Sequence, residues 1–138
     1  MQIGVEASRT LENRRILIVM EDEVLRAALQ FMLHDENEAH EIRSPEEAYA
    51  KTFLGPIDLV LLDLGLVWGR GIGLIPELRE RLDPAKLVLV AESDDDPDAY
   101  ACLPAGADGI LGKPLTVAGV RKAVDRALRG SGRERLAA

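Results

Sequence analysis

Ile57-Asp58-Leu59-Val60-Leu61-Leu62-Asp63 is the stretch on which the fold turns. Its apolar run, Leu59 to Leu62, shows no polar alternation, which is the pattern of a strand buried on both faces in a parallel sheet. Asp63 ends the run, so its carboxylate leaves the hydrocarbon at the strand's C-terminal end. That edge is where open α/β sheets place their ligands. Fifty residues later Gly109-Ile110-Leu111 reads as a second short strand running into Lys113-Pro114 at the same predicted edge. A carboxylate and an ammonium on one rim suit the handling of a phosphoryl group. The plainer readings are a strand-end aspartate capping its loop and a solvated loop lysine.

Short strands and helices alternate on either side of this stretch. Arg15-Ile16-Leu17-Ile18-Val19 is a first strand, and Leu25, Ala28, Leu29, Met32 and Leu33 form a one-face helical stripe after it. Glu38 to Ile42 reads as a weak edge strand. Ser44-Pro45-Glu46-Glu47 supplies an N-cap, a proline at N1 and a glutamate at N3, so a helix through Phe53 is expected. A glycine-rich loop (Gly65, Gly69, Gly71, Gly73) is predicted after Asp63, then a helix over 74–82 and a fourth strand, Lys86 to Val90. Asp96-Pro97 opens another helix that Gly106 ends. A last helix, capped by Thr116, carries Val117, Val120, Val124 and Leu128. Five βα units imply right-handed crossovers and a parallel sheet covered on both faces. Residues 1–13 read as a leader, 14–129 as one domain and 130–138 as a flexible tail.

The bulk numbers narrow the function classes. The 138 residues suffice for one domain with a real core, and 47% apolar with 30% charged residues is ordinary for a globular protein. A net charge of -7 argues against nucleic acid or an anionic membrane surface as a direct partner. The single cysteine, Cys102, cannot form an internal disulfide and fits a reducing, cytoplasmic compartment. No long apolar segment suggests a signal peptide or a transmembrane helix. The tail after Gly130 is too short for a DNA-binding domain, so a stand-alone regulator or a fragment is expected.

The pattern resembles the CheY-like receiver domain of two-component response regulators over roughly residues 14–129. Ile57 to Leu64 is similar to the family's phosphoacceptor strand, and Gly71 falls where the family usually has glycine. Gly106-Ala107-Asp108-Gly109-Ile110-Leu111-Gly112-Lys113-Pro114 resembles its last strand and Lys-Pro. The resemblance implies a flavodoxin-like (βα)5 three-layer sandwich with a five-stranded parallel sheet in the order 2-1-3-4-5, the order of CheY itself. It also implies Asp63 as phosphoacceptor, Lys113 as phosphoryl contact and a Lys113–Pro114 cis bond aiming the lysine inward. Mg²⁺ is the implied cofactor, held by Glu21, Asp22, Asp63 and the backbone carbonyl of Gly65. The implied partners are a histidine kinase or phosphotransfer protein, and a downstream protein on the face of the fourth helix, fifth strand and fifth helix. The family uses that face for dimerisation too. The expected role is a signalling switch, not an enzyme.

Some positions depart from the family pattern. Met20-Glu21 and Glu21-Asp22 are both registers for the acidic pair after the first strand. The second would turn Arg26, Gln30 and His34 inward, at a cost of about 1–3 kcal/mol per unsatisfied group, so the first is preferred. Methionine then replaces the first acid, and a thioether is a poor partner for hard Mg²⁺. Glu21 and Asp22 also suit a helix N-terminus without any metal. Ala91 takes the usual switch-hydroxyl position and Ile110 the usual aromatic one. Ser93 could substitute only if its loop bends back. These departures motivate a second reading, a pseudo-receiver that binds proteins without being phosphorylated. A flavodoxin-like cofactor binder or an aspartyl phosphatase fits less well, because Met20-Glu21-Asp22 is not a phosphate loop and Asp63-Leu64-Gly65 lacks a second acid. Glu92, Asp94, Asp95, Asp96 and Asp98 read first as a solvated acidic loop. Trp68 is expected on the loop beside Asp63.

Overall fold

The computed structural model describes residues 13–129; residues 1–12 of the expected leader and the tail from Gly130 lie outside the described residues. Five strands, β1 (Arg15–Val19), β2 (Glu38–Ile42), β3 (Leu59–Asp63), β4 (Lys86–Ala91) and β5 (Gly109–Gly112), pair in parallel in the order β2-β1-β3-β4-β5. Successive strand residues face opposite sides, so the apolar runs feed two layers at once. Leu17, Val19, Val60, Leu62 and Leu89 pack on one side with Ile75, Leu78 and Ala99. Ile16, Ile18, Leu59, Leu61 and Val88 pack on the other with Leu29, Leu33, Val120 and Val124. Each such buried aliphatic side chain contributes about 1.5–3 kcal/mol, which is why the interior strands β1, β3 and β4 dominate the fold.

The helices are α1 (Glu23–Leu33), α2 (Pro45–Ala50), α3 (Leu64–Arg70), α4 (Leu74–Arg81), α5 (Pro97–Tyr100) and α6 (Val117–Arg129). The α2 cap forms as the sequence suggests, with Ser44 Oγ accepting from Glu47 N at 3.2 Å. The helix is shorter than expected and tightens into a 3₁₀ turn over Lys51–Leu54. Thr116 Oγ1 caps α6 by accepting from Gly119 N at 3.0 Å.

Three local expectations fail. The segment after Asp63 is helical, not a loop, because α3 buries Leu64, Leu66 and Val67. Their burial outweighs the roughly 1 kcal/mol that each helical glycine costs, and Gly71, at φ 101°, ends the helix. The helix expected from Asp96 to Gly106 is broken into α5 and a 3₁₀ turn, Leu103–Ala105. Pro104 accounts for the break, since it lacks an N–H donor and disfavours helical geometry at Leu103. Lastly, Arg26 is only 6% exposed. Its Nη1 donates to Met20 O at 2.8 Å and its Nε to Glu41 Oε1 at 3.2 Å. The guanidinium is satisfied, so the penalty that argued against an inward arginine is not incurred.

Candidate functional site

Asp63 closes β3 at the N-cap position of α3. Its parity with Leu59 and Leu61 directs it to the face that packs on α1 and α6. Val19 pairs with Leu62, so one further step along β1 brings Met20 beside Asp63. Met20 N donates to Ile42 O at 3.1 Å, and its side chain is fully buried in the core. Met20 therefore brings a buried apolar side chain, and no carboxylate, beside the end of β3.

Asp63 is half-buried, and burial pushes its carboxyl above the usual carboxylate range. The Gly65 backbone N–H and the Lys113 ammonium oppose the rise, whereas Glu92 and Asp22 reinforce it. Asp22 belongs to the Glu21-Asp22 pair that follows β1. It is exposed and N-caps α1, with Oδ1 accepting from Leu25 N at 3.0 Å. Glu21 is exposed on the same loop. Gly65 sits against the carboxylate: a Cβ there would lie 3.4 Å from Asp63 Oδ2.

Lys113 reaches the rim from the end of β5, and the Lys113–Pro114 bond is cis, as expected. Its backbone N donates to Ala91 O at 3.0 Å. Its Nζ donates to Glu92 Oε2 at 3.0 Å. Ala91 is buried, pairs with Gly112 and offers no hydroxyl. Ser93 does not stand in for it, since its Oγ donates to Asp95 Oδ1 at 2.9 Å. Ile110 is partly buried against the core. Trp68 lies on α3, not on a loop, and is 52% exposed.

Two contacts escape the sequence. One is the Glu92–Lys113 ion pair; the other is Asp94, whose Oδ1 accepts from Gly112 N at 3.1 Å. In the chain both residues are members of an acidic run. Their signal is the β4–β5 register, which sets Ala91 opposite Gly112.

Among the described residues no three or more His, Cys, Asp or Glu side chains form a metal cage. Mg²⁺ does not need one, because it keeps several waters and takes one or two carboxylates. The donor chemistry at Asp63 fits such an ion. The oxygens are hard, and the negative field of Glu92 and Asp22 on Asp63 is what a cation relieves.

A 2-1-3-4-5 parallel sheet with an aspartate ending β3 and a lysine just past β5 defines a CheY-type α/β fold. The chain belongs to the response regulator receiver domain family, whose description "Response regulator receiver domain" matches residues 16–125. Members are receiver domains of two-component systems, and phosphorylation on aspartate is standard among them. The chain is 33% identical over 115 residues to the KDP operon transcriptional regulatory protein KdpE of Escherichia coli, covering 83% of this chain and 51% of that protein. It is 36% identical over 107 residues to the transcriptional regulatory protein AruR of Pseudomonas aeruginosa, covering 73% and 43%. It therefore spans about half the length of these curated relatives. A response regulator from Thermotoga maritima shares the fold, with a TM-score of 0.74 at 20% identity, covering 84% of this chain and 98% of that one. Among the described residues no helix is long and apolar enough to cross a membrane.

Proposed function

We propose that Asp63 accepts a phosphoryl group from a histidine kinase or phosphotransfer protein, and that Lys113 contacts the transferred group. The observation that carries this is the placement of Asp63 at the C-terminal end of β3 and of Lys113 immediately after β5, on one rim of the sheet. A carboxylate oxygen of Asp63 attacks phosphorus, the bond from phosphorus to the donor nitrogen or acyl oxygen breaks, and its electron pair leaves with the donor. The Gly65 backbone N–H favours the ionised carboxyl, and the residue carries no side chain beside Asp63 Oδ2. Lys113 supplies a mobile positive charge for the phosphoryl oxygens. Mg²⁺, held by Asp63 with Asp22, Glu21 and the Gly65 carbonyl, would cancel the repulsion between carboxylate and phosphate.

The role is that of a switch rather than an enzyme. Its output runs to a downstream protein, or a second copy, on the α5–β5–α6 face. A cavity of about 540 Å³ there, edged by Tyr100, Ile110, Lys122 and Arg126, supports that reading. The lone buried thiol of Cys102 supports a cytoplasmic location.

Trp68, half-exposed on the helix that starts at Asp63, is the natural reporter. Adding Mg²⁺ and then beryllofluoride is expected to give a saturable emission change in the wild type that Asp63→Asn lacks. Acetyl phosphate is expected to add one phosphoryl group to the wild-type mass only. Absence of both responses would leave the pseudo-receiver, a binding module that works without phosphorylation.

A further inference from the structure

We propose that Glu92 is a built-in competitor for Lys113, and that its carboxylate must give up the ammonium before the lysine can serve an incoming phosphoryl group. The inference rests on the reading of Asp63 as the acceptor. Glu92 is the first residue after β4, and its Oε2 lies 3.0 Å from Lys113 Nζ. Two anchors hold its backbone. Before it, Ala91 pairs with Gly112 and its carbonyl accepts from Lys113 N at 3.0 Å. After it, Asp94 Oδ1 accepts from Gly112 N at 3.1 Å. Gly112 permits this close seating: a Cβ there would overlap the backbone of Ser93 and Asp94. The loop is therefore pressed onto the end of β5, with the Glu92 carboxylate beside the lysine.

A carboxylate and a phosphoryl group ask the same thing of Lys113, namely hydrogen bonds from a point positive charge. The size of the effect follows from exposure. The Glu92 side chain is 81% exposed, and an ion pair so open to water changes an equilibrium by about two- to fivefold. Glu92 is thus a brake that a tightly docked donor overrides and a small acyl phosphate feels. It tunes the reaction without touching the reacting atoms, as a positioning residue acting through Lys113.

The test is the initial rate of phosphoryl uptake from acetyl phosphate in Mg²⁺ buffer, followed by intact mass, for the wild type, Glu92→Gln and Glu92→Ala. Each is made with Lys113 intact and with Lys113→Gln. Both Glu92 variants are expected to be about two- to fivefold faster at low salt, with the gap closing at high ionic strength. With Lys113→Gln the Glu92 changes are expected to add nothing. Equal rates in wild type and variants overturn the competition while leaving Asp63 as acceptor. An acceleration that persists without Lys113 overturns it too, assigning the effect to the charge of Glu92 on Asp63 alone. No uptake in any of the chains overturns the acceptor reading and this inference with it.

Discussion

The two rims of the sheet treat charge in opposite ways. At the N-terminal rim every strand end is tied. Arg15 Nε donates to Glu38 Oε2 at 2.7 Å, and Glu38 also meets His40 at 2.7 Å. Arg15 N donates to Asp58 Oδ2 at 2.8 Å. Asp108 Oδ2 accepts from Leu87 N at 2.8 Å and pairs with Arg79. At the C-terminal rim Asp63 faces two carboxylates, and the nearby ammonium is held by Glu92. Arg15 and His40 hold the Glu38 carboxyl down at about 2, whereas burial pushes Asp63 up. The contrast separates a carboxylate held charged by its partners from one whose charged form burial and its neighbours oppose.

The largest expected effect is at Asp108, whose side chain is 2% exposed. Asp108→Ala strips the acceptor from Leu87 N–H and the partner from Arg79. A loss of about 2–3 kcal/mol in urea denaturation is expected, since one buried partner is removed and the rest stay. The Trp68 response to beryllofluoride should survive under native conditions. Loss of that response in folded protein would break the separation of the two rims.

Glu38→Gln comes next. The hydrogen bond from Arg15 and then that from His40 hold Glu38 well below its ordinary value of 4.5. A depressed carboxylate stabilises the fold above the unfolded-state pKa, and that stabilisation is lost as pH falls towards about 2. Because the side chain is more than a third exposed, the effect at pH 7 is discounted to about 1 kcal/mol. Parallel melts of wild type and variant are expected to converge between pH 4.5 and 2. A gap constant over that range would show that Glu38 acts by packing and not by charge.

Much of this division is already visible in the chain, and the remainder depends on strand register. Leu59 to Asp63 and Gly109 to Lys113 place an acid and a base on one rim because unbroken apolar runs flanked by helical stripes leave few topologies. The cap at Ser44 is equally local. What the sequence hides needs a third dimension. Helix α3 forms despite its glycines because Leu64, Leu66 and Val67 meet a core that no local propensity reveals. Arg26 is buried because a carbonyl in the β1–α1 loop and a glutamate on β2 wait for it. Glu92 meets Lys113 only once β4 and β5 are in register, twenty-one residues apart along the chain.

The smallest expected effect has the opposite sign and lies at the tense rim. Burial raises Asp63 first, with Glu92 and Asp22 adding to it, so its ionised form is a liability in the folded protein. A carboxyl whose folded pKa is raised binds protons more readily folded than unfolded, and stability falls as pH rises through the folded value. Asp63→Asn removes that liability. It is expected to stabilise the protein at pH 7 by less than about 1 kcal/mol, given screening at a half-open rim. The gain should fade as pH falls towards the ordinary aspartate value of 3.8. Mg²⁺ should narrow it as well, because ligand binding stabilises only the chain that keeps the carboxylate. Thermal melts at pH 7, with and without Mg²⁺, provide the check. A destabilised Asp63→Asn would mean that the Gly65 N–H and Lys113 outweigh burial, and the C-terminal rim would then be as well tied as the N-terminal one.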